Sequence, residues 1–183
     1  MRMIQQMISW LPQLLNGAKI TILLTLCAVS MGLLLSIFLA LGKMSKNKIL
    51  SGICSVYIFF FRGTPLLMQL YFIYFGLPQI NMALTINSRF FAAFLAFSLN
   101  SAAYCSEFIR AAIQSIDRGQ FEASKALGLS KAQTMQLVIF PQSIRRLVPS
   151  VANEFIMVLK DASLVSIIAL ADLTKVTRAI SSS

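Results

Sequence analysis

Two carboxylates interrupt the last apolar stretch of this 183-residue sequence, and they are its strongest candidates for binding a ligand. Charged groups at membrane depth are costly and usually face a polar cavity or a partner. Glu154 and Asp161 are seven positions apart, so on one continuous helix they share a face about 10 Å apart. That separation suits an ammonium group and a second polar group of one small ligand. A structural alternative for Asp161 is to cap a helix that begins at Ala162.

Three further polar residues lie within or between apolar runs. Arg62 is expected to meet a ligand carboxylate or to pair with Glu107 or Glu154. Asn100 and Ser101 lie in the middle of an apolar run, where polar side chains bind a ligand or hydrogen-bond to neighbouring helices. Both roles stay open for these two residues.

The sequence contains no set of residues typical of an enzyme active site. It has no His, and its three Cys lie in apolar runs without the spacing of metal ligands. No Ser or Cys has a base beside it, and no G-x-x-x-x-G-K-[ST] motif is present. We therefore expect this chain to perform no covalent chemistry and to hydrolyse no ATP itself.

The composition is that of a membrane protein with a single domain, residues 1–183. Hydrophobic residues make up 57% and charged residues only 12%, whereas a typical soluble domain has about 25% charged residues. Apolar runs long enough to cross a bilayer predict an all-α, polytopic bundle. We place the membrane spans at about 18–42, 49–76, 89–109 and 142–171.

The distribution of basic residues predicts the orientation of these spans. The loop after the first span contains Lys43, Lys46 and Lys48, which places it in the cytoplasm and the N-terminus outside. The segment 110–146 has six basic residues against two acidic ones, so it is also expected in the cytoplasm. Proline lacks a backbone N–H, and the sequence "RGTP" at 62–65 therefore predicts a break in the second span.

Between the third and fourth spans lies a hydrophilic segment, "EASKALGLSKAQTMQLVIFP". Asp117 and Gln120 have capping-box spacing for one helix, Gly128 is suited to end it, and Ser130 and Gln133 repeat the spacing for a second helix. Two short helices are thus predicted to meet at a sharp corner. A DNA-binding helix-turn-helix is disfavoured because membrane spans hold both ends. A solvated loop leaves the small residues at the tip unexplained, and a docked partner accounts for them better.

This segment resembles the EAA signature of bacterial ABC-importer permeases. The matching residues are Glu122-Ala123-Ser124, then Gly128, then Val138-Ile139-Phe140-Pro141. The flanking sequences "FRGTPLLMQLYFIYFGLP" and "LNSAAYCSEFIRAAIQSIDRGQ" look like the polar amino-acid permeases, the histidine, glutamine, arginine and cystine uptake group. The resemblance extends from about residue 17 to residue 174.

The resemblance implies a type I importer permease with a MetI-like helical bundle in the bacterial inner membrane. Its implied partners are a dimer of ATP-binding cassette ATPase subunits, a second permease subunit, identical or related, and an external amino-acid-binding protein. ATP and Mg would be held by the ATPase, with no cofactor on this chain and no nucleic acid as partner. The coupling helix would be seated in the ATPase through Glu122, Ala123, Ser124, Leu127 and Gly128. Permeases of this family continue with one more apolar span, which this sequence lacks.

The implied function is ATP-driven uptake of a polar amino acid by alternating access. An ion-gradient-driven secondary transporter or channel is the alternative, since it would also need buried carboxylates and a broken helix. That alternative leaves the EAA-like segment unexplained.

Overall fold

The computed structural model of the protein describes residues 2–181, and side chains from Trp10 onward. Nearly all of the described chain is helical. The α-helices are α1 (Arg2–Lys43), α2 (Lys48–Gly63), α3 (Leu66–Tyr71), α4 (Leu77–Ile80), α5 (Arg89–Gln114), α6 (Arg118–Ala126), α7 (Lys131–Gln133), α8 (Phe140–Asp161) and α9 (Leu173–Ser181). π-helical turns at Phe72–Gly76 and Thr134–Ile139 and 3₁₀ turns at Met82–Leu84 and Ala162–Ile168 connect some of them.

Helix α1 contains the strongest candidate for a membrane span. Its segment Trp10–Lys43 has a mean hydropathy of 2.6, and within the described residues it is the one unbroken helix that is both long and apolar enough to cross a bilayer. The segments Lys48–Gly63 and Leu66–Ile80 meet the same criterion together, as a bent pair. Many large apolar side chains on α1 and α2 are exposed in the isolated chain, among them Phe38 and Phe59.

The core forms where α5 packs along α1. Small side chains let the two backbones approach closely, as is usual between membrane helices. At the contact, a Cβ added to Gly32 would lie 2.9 Å from the Cβ of Ser101. The buried face of α5 includes Ala92, Ala93 and Ala96. These alanines leave room for side chains of α3, α8 and the 3₁₀ turn to complete the core.

The predicted break at residues 62–65 is confirmed. Helix α2 ends at Gly63, α3 begins at Leu66, and the chain direction changes by 103° between the two helical segments. Thr64 and Pro65 both have extended backbone conformations. Because Pro65 has no backbone N–H, the helical hydrogen-bond pattern cannot pass through it.

The predicted corner between α6 and α7 is also present. Asp117 caps α6 by accepting a hydrogen bond from the backbone N–H of Gly119. Gly128 has a φ of +74°, the left-handed conformation that glycine adopts without strain. Ser130 and Gln133 form the capping box of α7. Gln120 does not complete a box with Asp117, because its side chain accepts a hydrogen bond from Gln142 instead.

Helix α8 continues without a break through Pro149 to Asp161. Asp161 then stands at the start of the 3₁₀ turn, but its side chain makes no capping hydrogen bond there. The chain turns back at Ala169, which has a φ of 60°. Helix α9 follows and packs against α1, where a Cβ on Gly17 would lie 3.0 Å from the Cα of Leu173.

Candidate functional site

A cavity of about 430 Å³ lies where the α2–α3 corner, α5, α8 and the following 3₁₀ turn meet. Its volume is within the range of sites that bind small molecules. The corner contributes one wall, residues 62–67. The other lining residues come from α5, α8 and the 3₁₀ turn, and four of them are polar: Asn100, Tyr104, Glu154 and Asp161.

The two carboxylates expected to bind a ligand both line this cavity. Glu154 is buried, with 3% of its surface exposed, and Asp161 is partly exposed at the end of α8. Because α8 is continuous between them, they lie on the same side of the helix. Ser101 is fully buried on the neighbouring helix α5, and it does not line the cavity.

Arg62 lies at the boundary of the cavity, on the last turn of α2. Its guanidinium carbon is 5.2 Å from the centre of the Tyr104 ring, a cation–π distance. Its Nη1 is 3.9 Å from Oε2 of Glu107, and its side chain is 42% exposed. The sequence offers Glu107 and Glu154 as partners for Arg62. In the structure Arg62 lies beside Glu107 and lines the same cavity as Glu154.

Glu107 is the centre of an ion cluster that ties three helices together. Its Oε1 is 2.6 Å from Nζ of Lys43 on α1, and its Oε2 is 2.6 Å from Nη2 of Arg110 on α5. Arg62 on α2 is the third cation. The hydrogen bonds to Glu107 raise the pKa of the Arg110 guanidinium above its usual value. The cluster therefore holds three cations around one carboxylate and fixes α2 beside α1 and α5.

Three residues of this region did not stand out in the sequence as site candidates: Lys43, Gln69 and Tyr104. Gln69 is buried on α3 and hydrogen-bonds to Asn100. Tyr104 could have been found from its spacing, since Asn100, Tyr104 and Glu107 repeat at the four- and three-residue intervals of one helix face. Lys43 was informative only about topology, because its contact with Glu107 depends on how α1 packs against α5.

The α6–α7 corner presents four of the five coupling candidates at the surface. Glu122, Ala123 and Gly128 are exposed, and Leu127 is 80% exposed. Ser124 differs, because it is buried and its hydroxyl donates to the Gln120 carbonyl. A largely apolar cavity of about 570 Å³ lies beside the tip, lined by residues including Phe121, Leu129 and Met135.

The described residues contain no group of three or more His, Cys, Asp or Glu side chains placed to hold a metal ion. The charged groups that line the cavity are instead one cation, Arg62, and two carboxylates, Glu154 and Asp161. Such an arrangement can bind a ligand that bears both charges.

Comparison with known families identifies the sequence. Residues 32–181 match the family described as "Binding-protein-dependent transport system inner membrane component". The chain is 41% identical to the arginine transport system permease protein of Bacillus subtilis (strain 168) over 90% of its length and 74% of the relative's. It is 42% identical to the L-cystine transport system permease protein of the same organism, covering 90% and 69%.

Two solved structures share the fold. A crystal structure of an amino acid ABC transporter with histidines matches with a TM-score of 0.90 at 44% identity, covering 96% of this chain and 81% of that one. The MetNI methionine ABC transporter in an inward-facing conformation matches with a TM-score of 0.72, covering 91% and 79%. At 19% identity the second match supports the fold alone.

Proposed function

Because the chain belongs to the family of binding-protein-dependent transport system inner membrane components, we propose that its cavity binds a polar amino acid and that its α6–α7 corner couples transport to ATP hydrolysis. The chain is the inner-membrane permease component of an amino-acid ABC importer. In this family the ATPase is a separate subunit. What remains to be assigned is which residues serve the substrate and which serve the ATPase.

One observation carries the substrate assignment: one cation, Arg62, and two carboxylates, Glu154 and Asp161, line the same cavity. An amino acid at neutral pH bears an ammonium and a carboxylate. The ammonium, or a cationic side chain, binds Glu154 and Asp161, and the carboxylate binds Arg62. Asn100 lines the same space, whereas Ser101 is buried on α5 and does not line the cavity. This set favours a cationic or zwitterionic amino acid over an acidic one.

The coupling assignment rests on the exposed corner between α6 and α7. Leu127 supplies a large apolar side chain that is 80% exposed, with Glu122, Ala123 and Gly128 beside it. An ATPase subunit that grips this tip moves α8 as well, because the corner continues through a π-helical turn directly into that helix. Movement of α8 carries Glu154 with it. ATP and Mg belong to the ATPase, whose dimer engages this permease and a second one.

The orientation follows the positive charges. Lys43, Lys46 and Lys48 lie in and beside the loop between α1 and α2, which supports a cytoplasmic location for that loop and an external N-terminus. The basic excess over residues 110–146 supports a cytoplasmic location for segment 111–141. An external binding protein then delivers the amino acid to the opposite side. The spans are those at about 18–42, 49–76, 89–109 and 142–171.

The test is direct binding of amino acids to the purified permease–ATPase complex without its binding protein, so that only this cavity is measured. L-arginine, L-glutamine, L-cystine and L-glutamate are compared by equilibrium dialysis. We expect Glu154→Gln to weaken binding of the best ligand about tenfold, since a charge-assisted hydrogen bond contributes roughly 1.5–3 kcal/mol. Asp161→Asn should weaken it less because Asp161 is more exposed.

The matched control is Asp117→Asn, which removes a carboxylate far from the cavity and keeps a side chain suited to cap α6. It should leave binding unchanged. Binding that is indifferent to Glu154→Gln, or an equal response to Asp117→Asn, would contradict the substrate site proposed here.

A further inference from the structure

A buried amide, Gln69, meets a partly exposed one, Asn100, at the C-terminal end of α2 beside the cavity. Gln69 on α3 is 6% exposed, and its Oε1 accepts a hydrogen bond of 3.1 Å from Nδ2 of Asn100 on α5. The two residues are 31 positions apart in the sequence. Buried side-chain amides are costly unless their hydrogen bonds are satisfied, so this pair needs a structural explanation.

The explanation begins with the proline at the break. In an uninterrupted helix the carbonyl of Phe61 would accept from the backbone N–H four residues later, but that residue is Pro65, which has none. The Phe61 carbonyl instead accepts from Nε2 of Gln69 at 2.9 Å and from Nδ2 of Asn100 at 3.0 Å. Within a bilayer no water is available to do this, so the side chains replace the missing backbone donor.

The same amide also ties down the other side of the break. Nε2 of Gln69 lies 3.0 Å from the Thr64 carbonyl and 2.8 Å from Thr64 Oγ1. Thr64 Oγ1 in turn donates to the Phe60 carbonyl at 2.8 Å. Gln69 therefore bonds to both the last turn of α2 and the extended residue that follows it. A neighbouring hydrogen bond from the Tyr57 hydroxyl to the Leu99 carbonyl holds α2 against α5 one turn earlier.

We infer that Gln69 is a positioning residue for the substrate cavity, acting with Asn100 as an amide clasp that fixes the α2–α3 corner. This inference rests on the proposed function, because the corner matters to transport only if the cavity it borders binds the substrate. Residues 62–67 form one wall of that cavity, so the position of Arg62 depends on the corner. Without the clasp, the Phe61 carbonyl has no partner and the wall moves.

The clasp also restricts what Asn100 can offer a substrate. Both N–H groups of its amide are used, one toward Phe61 and one toward Gln69. Only its carbonyl oxygen remains, and a carbonyl oxygen accepts hydrogen bonds. Asn100 therefore meets the ammonium end of an amino acid and does not bind its carboxylate.

The experiment measures affinity and turnover separately. Gln69→Met keeps the length of the side chain and removes the amide, and Gln79→Met makes the same change at an exposed position in α4. Each purified permease–ATPase complex is dialysed against the best-binding ligand among L-arginine, L-glutamine and L-cystine. Its maximal ATP hydrolysis is then measured with saturating substrate-loaded binding protein. We expect Gln69→Met to weaken binding about tenfold with maximal hydrolysis within about twofold, and Gln79→Met to change neither.

A double-variant cycle shows whether the two amides act together. Asn100→Leu should weaken binding by a similar factor, and the double variant should be little worse than either single variant, because both remove the same clasp. Losses that multiply would overturn the clasp.

If Gln69→Met fails to assemble, Thr64→Val replaces it, since Thr64→Val removes only one acceptor of the Gln69 amide. It should shift affinity in the same direction by a smaller factor, and unchanged affinity would overturn the inference.

Hydrogen exchange separates failure of the clasp from failure of the substrate site. In the membrane-embedded complex, the peptide covering residues 60–68 should exchange faster in Gln69→Met than in the parent chain, and Gln79→Met should match the parent. If exchange and affinity are both unchanged while Glu154→Gln weakens binding, the clasp is wrong and the substrate site stands. If Glu154→Gln has no effect on binding and exchange still quickens in Gln69→Met, the clasp holds the corner but the proposed cavity function fails.

Discussion

The chain makes two sharp corners between helices, and they are held in opposite ways. The α6–α7 corner is built from hydrogen bonds between near neighbours: Asp117 to Gly119, Ser130 to Gln133, and the left-handed Gly128 between them. The α2–α3 corner has a proline but no glycine turn and no capping box. It depends on Gln69 and on a helix that arrives about 35 residues later, through Asn100.

This difference follows the surroundings of each corner. The α6–α7 corner is at the surface, where water satisfies the remaining backbone groups, so local caps suffice and the tip stays free for a partner. At the α2–α3 corner the break falls within an apolar segment, and the Phe61 carbonyl takes its donors from the side chains of Gln69 and Asn100. The first corner therefore presents a surface, and the second shapes a cavity. Variants at each corner test whether docking of the ATPase and binding of the amino acid are separate in this way.

The largest effect is expected at the surface corner. Gly128→Asp should abolish the stimulation of ATP hydrolysis by substrate-loaded binding protein. A left-handed backbone costs a residue with a side chain about 1–2 kcal/mol, and the new carboxylate protrudes at the docking tip. Among the residues that the structure describes, no atom would lie within 4 Å of a Cβ at Gly128, so a severe defect must come from backbone strain or from the partner.

Gly128→Asn separates these two causes. Asparagine has nearly the same shape, tolerates the left-handed conformation and carries no charge. We expect it to retain part of the stimulation, and co-purification of the ATPase should follow the same order: parent, then Asn, then Asp. Full activity in both variants would mean that the corner is only a connector.

The sequence predicts the surface corner well for a physical reason. Caps and glycine turns connect residues two to six positions apart, so the spacing of Asp117, Gly128, Ser130 and Gln133 contains most of the information. Even here one contact departed from the pattern. Gln120 has the spacing of a capping box, but its side chain bonds to Gln142, 22 residues away, because α8 passes beside α6.

The membrane corner is predictable only in part. Pro65 reveals the break, and the charges at Glu154 and Asp161 reveal that a polar space must be nearby. The sequence does not reveal which residues replace the lost backbone donor, because that depends on the register of α5 against α2 and α3. For the same reason the sequence left two roles open for Asn100 and Ser101, at a ligand or between helices. In the structure Ser101 faces α1 at Gly32.

The next largest effect concerns the ion cluster that fixes the start of the membrane corner. Glu107→Gln should lower the free energy of unfolding by about 2 kcal/mol, because three cations lose their shared carboxylate. For a chain of this size that corresponds to a thermal midpoint lower by about 5 °C in detergent. The matched control is Glu122→Gln at the surface corner. Glu122 is exposed and belongs to none of the ion pairs of the described residues, so its midpoint should not move.

Equal shifts for Glu107→Gln and Glu122→Gln would contradict the comparison, because they would mean that the cluster contributes no more than a solvated surface charge. A larger loss for Glu107→Gln, with ATPase binding intact below the midpoint, would show that the membrane corner is anchored independently of the docking tip.

The smallest effects come from removing one hydroxyl from each corner. Thr64→Val deletes an acceptor for Gln69 and a donor to Phe60, and Ser130→Ala deletes the hydroxyl that caps α7. Each change should cost about 1 kcal/mol.

The two costs should appear in different measurements. Thr64→Val should weaken amino-acid binding about fivefold and leave co-purification of the ATPase unchanged. Ser130→Ala should leave amino-acid binding unchanged and weaken retention of the ATPase in salt washes, because the docking tip loses its fixed shape. If both variants shifted both measurements equally, the two corners would be one cooperative unit, and the division between a surface that docks and a cavity that binds would not hold.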